Sequence, residues 1–180
     1  MQMDINFFGL AQVTRKAMSV MRTQSPPGGV IQQVTSIGGQ LGFPLFNTYC
    51  ASKWAVEGFT EALSKEVKPE WNIKFTCIEP GAFRTDWAGR SMEFPEEDRK
   101  MKDVYDHLQA EKSMESVNGK QAGDPKKGAK AMYEFAVMDD PPLRVVIGKD
   151  AYRQILEKLK VYEENYRKYE KISTDMDHDE

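Results

Sequence analysis

The sequence predicts an α/β fold on a parallel sheet, and three observations carry that prediction. Amphipathic stretches of helical length alternate with short apolar runs, in the order helix–strand–helix–strand–helix–strand–helix. Chain breakers stand at the joints: Ser25-Pro26-Pro27-Gly28-Gly29, Pro69 and Pro141-Pro142. A helix separates each strand from the next, so the connections are right-handed crossovers between parallel strands.

The first helix spans residues 3–23, where Phe7, Leu10, Ala11, Thr14, Ala17, Met18 and Met21 recur at spacings of three and four. The proline–glycine cluster ends it and leads into strand 30–36, Val30-Ile31-Gln32-Gln33-Val34-Thr35-Ser36. A second helix over 47–68 carries Ala55, Val56, Phe59, Ala62, Leu63 and Val67 on its apolar faces and stops before Pro69. Strand 73–79 follows, Ile73-Lys74-Phe75-Thr76-Cys77-Ile78-Glu79. From Ala82 to Gly123 the chain turns polar and irregular, and Glu96-Glu97-Asp98-Arg99-Lys100 reads as a solvated helical face.

Asp124-Pro125 then opens a helix, with aspartate as N-cap and proline in the first turn, and it runs to Met138. Leu143-Arg144-Val145-Val146-Ile147 is a short buried strand closed by Gly148. The last helix, Asp150 to Lys171, presents Tyr152, Ile155, Leu156, Leu159, Tyr162, Tyr166 and Tyr169 at helical spacing, a stripe expected to pack. The ordered domain is therefore expected over 1–172, with an acidic, disordered tail at 173–180.

At 180 residues and 40% hydrophobic content the chain fits one domain with its own core. Its 25 basic and 28 acidic residues leave a net charge of −3 and no basic stripe, which argues against nucleic-acid binding. No apolar run approaches membrane-spanning length, and Asp4 stands where a signal peptide would be cationic. Cys50 and Cys77 fit small buried residues in a reducing compartment, with the cytoplasm as the default location. No metal-ligating cluster is visible.

The chemistry is concentrated in Asn47-Thr48-Tyr49-Cys50-Ala51-Ser52-Lys53. If this run opens a helix, Tyr49 and Lys53 share one face, a single turn apart. A cation beside a phenol favours the phenolate, which is how a tyrosine becomes a general acid/base for the proton of an alcohol. Thirteen positions earlier Ser36 closes its strand, at the carboxyl end where open parallel sheets bind ligands. Asn6 lies near the start in Asp4-Ile5-Asn6-Phe7-Phe8-Gly9, and Pro80-Gly81-Ala82-Phe83-Arg84-Thr85 follows the second strand.

These landmarks, in this order and spacing, resemble the short-chain dehydrogenase/reductase family from about residue 2 to about residue 175. The resemblance implies a Rossmann-like, doubly wound parallel sheet with flanking helices. It also implies hydride transfer between NAD or NADP and a secondary alcohol or ketone. In that reading Asn6, Ser36, Tyr49 and Lys53 are the catalytic residues. Tyr49 exchanges a proton with the substrate oxygen, and Ser36 hydrogen-bonds the same oxygen. Lys53 lowers the Tyr49 pKa and holds the nicotinamide ribose, and Asn6 holds a water that links Lys53 to solvent. Pro80, Gly81, Phe83 and Thr85 join Tyr49 and Lys53 in contacting the nicotinamide end. The stretch from Phe83 to Arg90 falls at the family's substrate loop, and Phe43, Phe46 and Trp87 are expected to wall the substrate pocket. The Pro-Gly-Ala-Phe-Arg-Thr-Asp-Trp run is similar to a microbial branch with hydroxysteroid-dehydrogenase-like relatives.

The resemblance is to the carboxyl-terminal portion of the family, with the amino-terminal strands missing. The family's glycine-rich turn, which brings backbone N–H groups to the cofactor phosphates, has no counterpart at the required spacing in Gly28-Gly29 or Gly38-Gly39-x-x-Gly42. Two readings follow. One is an oxidoreductase whose isolated chain is expected to be inactive. The other is a non-catalytic truncated module that associates through helices 3–23 and 47–68, the family's assembly helices. A homo-oligomer is expected under both.

Overall fold

Three parallel strands form the centre of the computed structural model, in the order β1–β2–β3. They are β1 (Gly29–Val34), β2 (Ile73–Pro80) and β3 (Arg144–Ile147). Register runs from Gly29 opposite Ile73 to Val34 opposite Ile78, and from Cys77 opposite Arg144 to Pro80 opposite Ile147. The structure describes residues 1–94, 104–105, 107–176 and 178; the charge cluster at 96–100 lies outside them.

The helices are α1 (Leu10–Met21), α2 (Asn47–Glu66), α3 (Ala110–Val117), α4 (Pro125–Ala136), α5 (Lys149–Lys168) and α6 (Glu170–Thr174). Alternation along the strands assigns them to faces. Ile31, Ile73 and Phe75 form a buried cluster with Ala17, Met18 and Met21 of α1 and Leu63 of α2. Gln33, next on that face, donates Nε2 to Thr14 Oγ1 of α1 at 2.8 Å. On the opposite face Ile78, Val145 and Ile147 pack with Phe83 and with Ala131, Met132 and Phe135 of α4. Ala151 and Ile155 of α5 cluster with Ile37, Leu41, Phe43 and Val146. Helices thus cover both faces, and the Rossmann-like α/β expectation holds.

Local chemistry explains the joints. Asp124 caps α4 as expected, its carboxylate accepting from Lys126 N–H at 2.8 Å, with Pro125 in the first turn. Gly28, at φ +122°, enters β1 so close to Asn72 that a Cβ would come within 2.6 Å of the Asn72 carbonyl oxygen. Cys50 and Cys77 are buried free thiols, and burial foremost pushes the Cys77 thiol up to about 12.

Several sequence expectations need correction. The first helix begins as a π-helical segment, Asp4–Gly9, before regular α1. Strand β1 stops at Val34, leaving Thr35 and Ser36 to lead into a 3₁₀ turn, Ile37–Gly39. The region 82–123 contains the eight-residue α3 and a 3₁₀ turn at Asp86–Ala88. The final helices continue to Thr174, two residues into the expected tail.

The aromatic stripe of the last helix does not pack. Ile155 is buried, but Tyr152, Leu156, Leu159, Tyr162, Tyr166 and Tyr169 are exposed, Tyr166 at 71%. Only the first turns of α5 lie against the sheet, because β3 beneath it is four residues long. Among the described residues no helix is long and apolar enough to cross a membrane.

Candidate functional site

The site assembles where β1 ends and α2 begins. Ser36 is extended (φ −174°, ψ 161°) and caps the 3₁₀ turn, its Oγ accepting from Gly38 N–H at 3.0 Å. Tyr49 lies in the first turn of α2, which starts at Asn47. Gly38 separates the two side chains: a Cβ there would sit 3.2 Å from Tyr49 Cε1 and 3.4 Å from Ser36 Oγ. A side chain at position 38 would press on both, so the glycine lets phenol and hydroxyl stand this close. Burial raises the Tyr49 pKa above its ordinary 10, and a hydrogen bond with Ser36 works against that rise.

Lys53 follows one turn later, but its ammonium serves the strand end. Nζ donates to the Val34 carbonyl oxygen at 3.1 Å and lies 5.8 Å from the Tyr49 ring centre. Burial lowers the Lys53 pKa, against the pull of Glu57. In this arrangement burial shifts the Tyr49 phenol upward, and the group that opposes the shift is Ser36.

Asn6 is tied to the same helix. Its Nδ2 donates to Ser52 Oγ at 3.0 Å, and Ser52 Oγ in turn donates to the Tyr49 carbonyl oxygen at 2.7 Å. The Asn6 side chain thus braces the first turn of α2 from the π-helical segment, an irregularity often found at functional sites. Ser52, fully buried, was not singled out from sequence, although its place three residues after Tyr49 puts it on a neighbouring face.

The segment after β2 is tied to the far side of the sheet. Gly81 N–H donates to the Ile147 carbonyl at 2.9 Å, and Ala82 N–H donates to Asp150 Oδ2 at 2.8 Å. The Phe83 ring joins the core cluster beneath α4, so only its backbone faces the site side of this turn. Thr85 caps the 3₁₀ turn at 86–88, accepting from Trp87 N–H at 3.4 Å. That turn delivers Trp87 to Phe46, with ring centres 5.9 Å apart and planes at 29°, and to Tyr49 at 5.7 Å. Phe46 and Trp87 therefore flank the phenol. Phe43 does not: it packs with Leu41 and Val146 against Ile37, Ala151 and Ile155. A separate open groove of about 410 Å³, lined by Lys127, Phe135 and Ile147, lies on the α4 side.

The residues present fit one end of a nicotinamide cofactor. Tyr49, Lys53 and the Pro80-Gly81 turn stand at the carboxyl ends of adjacent strands, where such ligands bind, and Lys53 has three donors of which Val34 takes one. The phosphate end is different. Gly38 and Gly39 follow a strand, but they are packed against Tyr49 and Glu57. Gly148 joins β3 directly to the N-terminus of α5, but the Asp150 carboxylate crowds it, 2.8 Å from where a Cβ would stand.

A family profile described as short chain dehydrogenase matches residues 1–96. An uncharacterized oxidoreductase of Schizosaccharomyces pombe, C162.03, is 35% identical over 160 residues, covering 86% of this chain and 51% of its own length. The crystal structure of a short-chain dehydrogenase from Streptomyces avermitilis superposes with a TM-score of 0.76 at 31% identity, covering 98% of this chain and 62% of that one. A short-chain dehydrogenase from Burkholderia cenocepacia in complex with NADP shares the fold, with a TM-score of 0.58 at 19% identity, covering 92% of this chain and 56% of that one. The chain spans about half the length of the curated relatives it matches. By sequence profile, fold and the order of its site residues, this chain belongs to the short-chain dehydrogenase/reductase family.

Proposed function

We propose that this chain carries the proton-transfer half of an NAD(P)-dependent oxidoreductase acting on a secondary alcohol or ketone. Tyr49 exchanges a proton with the substrate oxygen, and Ser36 donates to the same oxygen. When bound, the nicotinamide supplies the hydride chemistry. Lys53 turns from the Val34 carbonyl to hold ribose hydroxyls. Asn6 orients the first turn of α2 through Ser52, and its expected water relay to Lys53 stays part of the reading. Backbone groups of Pro80, Gly81, Phe83 and Thr85 approach the nicotinamide end, while Phe46 and Trp87 provide the apolar wall for the substrate. The compartment proposed is the cytoplasm.

The observation that carries this reading is the convergence of Ser36 Oγ and the Tyr49 ring across Gly38. It supports a hydroxyl donor working beside a phenol at the carboxyl end of β1, the two approaching one substrate oxygen from two sides. The test is turnover of secondary alcohols with NAD and with NADP by the longest polypeptide the gene encodes. Tyr49→Phe keeps the ring and deletes the proton, so turnover is expected to fall about 100-fold or more with cofactor affinity largely kept. Near-parental turnover in that variant rejects the mechanism.

A second reading has its own support. Gly38 and Gly39 are packed, and the Asp150 carboxylate crowds Gly148, so none of these three glycines offers a cradle for a pyrophosphate. On that ground the isolated chain is a non-catalytic module, associating through the segments 3–23 and 47–68. Fluorescence titration of the isolated chain with NADH and NADPH separates the two: saturable micromolar binding excludes the module.

A further inference from the structure

Two buried carboxylates meet the chain on either side of Ser36. Thr35, immediately before it, donates Oγ1 to Glu57 Oε1 at 2.6 Å and to the Ile78 carbonyl at 3.0 Å. Gly39, three residues after it, lies against the same side chain: a Cβ there would come within 3.0 Å of Glu57 Cγ and 3.2 Å of Oε1. Gln40 ends the turn and donates Nε2 to both oxygens of Glu79, at 2.6 and 2.7 Å. The Gln40 carbonyl also accepts from Lys158 of α5.

Glu57 and Glu79 are 4% and 0% exposed, a burial carboxylates rarely reach. Arg144 answers their charge, with Nε 2.9 Å from Glu57 Oε2 and 4.0 Å from Glu79 Oε1, and its remaining donors reach Glu61 at 2.7 Å. Buried ion pairs are poor stabilisers compared with apolar side chains of the same shape. What the carboxylates add is directed acceptance at fixed points of the Ser36 turn. Glu57 also lies one helical turn beyond Lys53 and two beyond Tyr49, so a single helix face carries the phenol, the ammonium and this brace.

We propose that Glu57 is a positioning residue, which holds Thr35 on one side of Ser36 and packs against Gly39 on the other, and thereby sets how Ser36 meets the Tyr49 phenol. Glu79 fixes the far end of the same turn through Gln40. The inference rests on the reading of Ser36 and Tyr49 as the reacting pair, but its test does not read turnover.

The experiment titrates the Tyr49 phenol by NMR in this chain labelled with ¹³Cζ-tyrosine, with Tyr49→Phe identifying the signal. A lost hydrogen bond from Ser36 raises the phenol pKa, whereas loss of the Glu57 charge alone lowers it. The two roles therefore differ in sign. Ser36→Ala is expected to move the titration up by about one pKa unit. Thr35→Val, which preserves shape and every charge, is expected to move it up by a comparable amount. Glu57→Ala should do likewise and add little on top of Ser36→Ala. Glu57→Gln keeps an acceptor for Thr35 and should leave the titration at or slightly below the parent. A downward shift in Glu57→Ala, or an unmoved titration in folded Thr35→Val, overturns the proposal. If Glu57→Ala fails to fold, Thr35→Val decides. Full turnover in Tyr49→Phe would sink the oxidoreductase reading without touching this result.

Discussion

Tyr49 and Lys53 stand one helical turn apart, yet the Lys53 ammonium lies 5.8 Å from the phenol ring centre and donates to the Val34 carbonyl instead. In this arrangement the phenol is governed by burial, which raises its pKa, and by Ser36, which opposes the rise. The isolated chain is therefore expected to titrate Tyr49 above the ordinary tyrosine value. Lys53→Met should shift that titration less than Ser36→Ala does. The reverse order of effects, measured by tyrosine NMR, would return Lys53 to the role its spacing suggests.

Glu79 makes stability depend on pH in the direction opposite to most carboxylates. Burial foremost, with the Glu57 charge, pushes its pKa from the ordinary 4.5 to about 7, against the pull of Gln40 and Arg144. Between these two values the native chain binds a proton that the unfolded chain has released, so stability falls as pH rises through the window. The loss is roughly 1–3 kcal/mol. Glu61, held down to about 2 by Lys65 and Arg144, acts elsewhere: its contribution is present above 4.5 and is lost as pH falls toward 2. Urea unfolding across the neutral range checks this, and Glu79→Gln should flatten the slope. Stability that rises between pH 4.5 and 7 in the parent refutes it.

The sequence reading succeeded where the signal was local. The spacing of Tyr49, Lys53 and Ser36, the Asp124-Pro125 cap and the crossover order all survive in the structure. Glu57 escaped notice because its meaning comes from Arg144, 87 residues away, and from Thr35 on another element. Phe43 and Phe46 share one loop, and no periodicity tells which ring turns inward. Leu45, at φ +69°, stands between them, and the two rings end in different surroundings, Phe43 with Ile37 and Ile155 and Phe46 with Trp87. Helical spacing identified the stripe from Tyr152 to Tyr169 as one face, but a periodicity says nothing about how far the sheet extends beneath it.

Phe43 and Trp87 should separate in their effects on stability. Phe43→Ala empties part of the cluster around Ile37, Ala151 and Ile155 and is expected to cost about 2–3 kcal/mol, less than a fully buried phenylalanine. Trp87→Ala removes ring contacts to Phe46 and Tyr49 at a site already 45% exposed, and should cost only about 1 kcal/mol. Thermal melts of both variants check the order. Equal losses would place Trp87 in the core.

Thr76 offers a gain. It is fully buried in β2, on the strand face turned toward α4, and its Oγ1 has no hydrogen-bond partner. Thr76→Val replaces that hydroxyl by a methyl of nearly the same size. Removing an unsatisfied buried polar group should add about 1 kcal/mol. A lower midpoint in denaturant would mean that the hydroxyl is satisfied in solution.

The proposed association through the segments 3–23 and 47–68 makes a prediction that distinguishes it from a rival surface on the same chain. Asn6 with Ser52, and Phe7 with Phe59 at 5.8 Å between ring centres, pack the first helical segment onto α2. Ile5, Phe8, Val13 and Val20 remain outward, with Val13 70% exposed, an apolar row unusual for a surface in water. Val13→Asp touches no packed neighbour and should leave the melting temperature nearly unchanged while weakening self-association at least about tenfold, the effect of roughly 1.4 kcal/mol. The rival is the exposed stripe of α5, where Tyr166→Asp is the matching change. Sedimentation equilibrium of the two variants decides between them. Loss of mass in Val13→Asp alone supports the first surface; loss in Tyr166→Asp alone transfers association to α5; a parent that sediments as a monomer at all concentrations removes both.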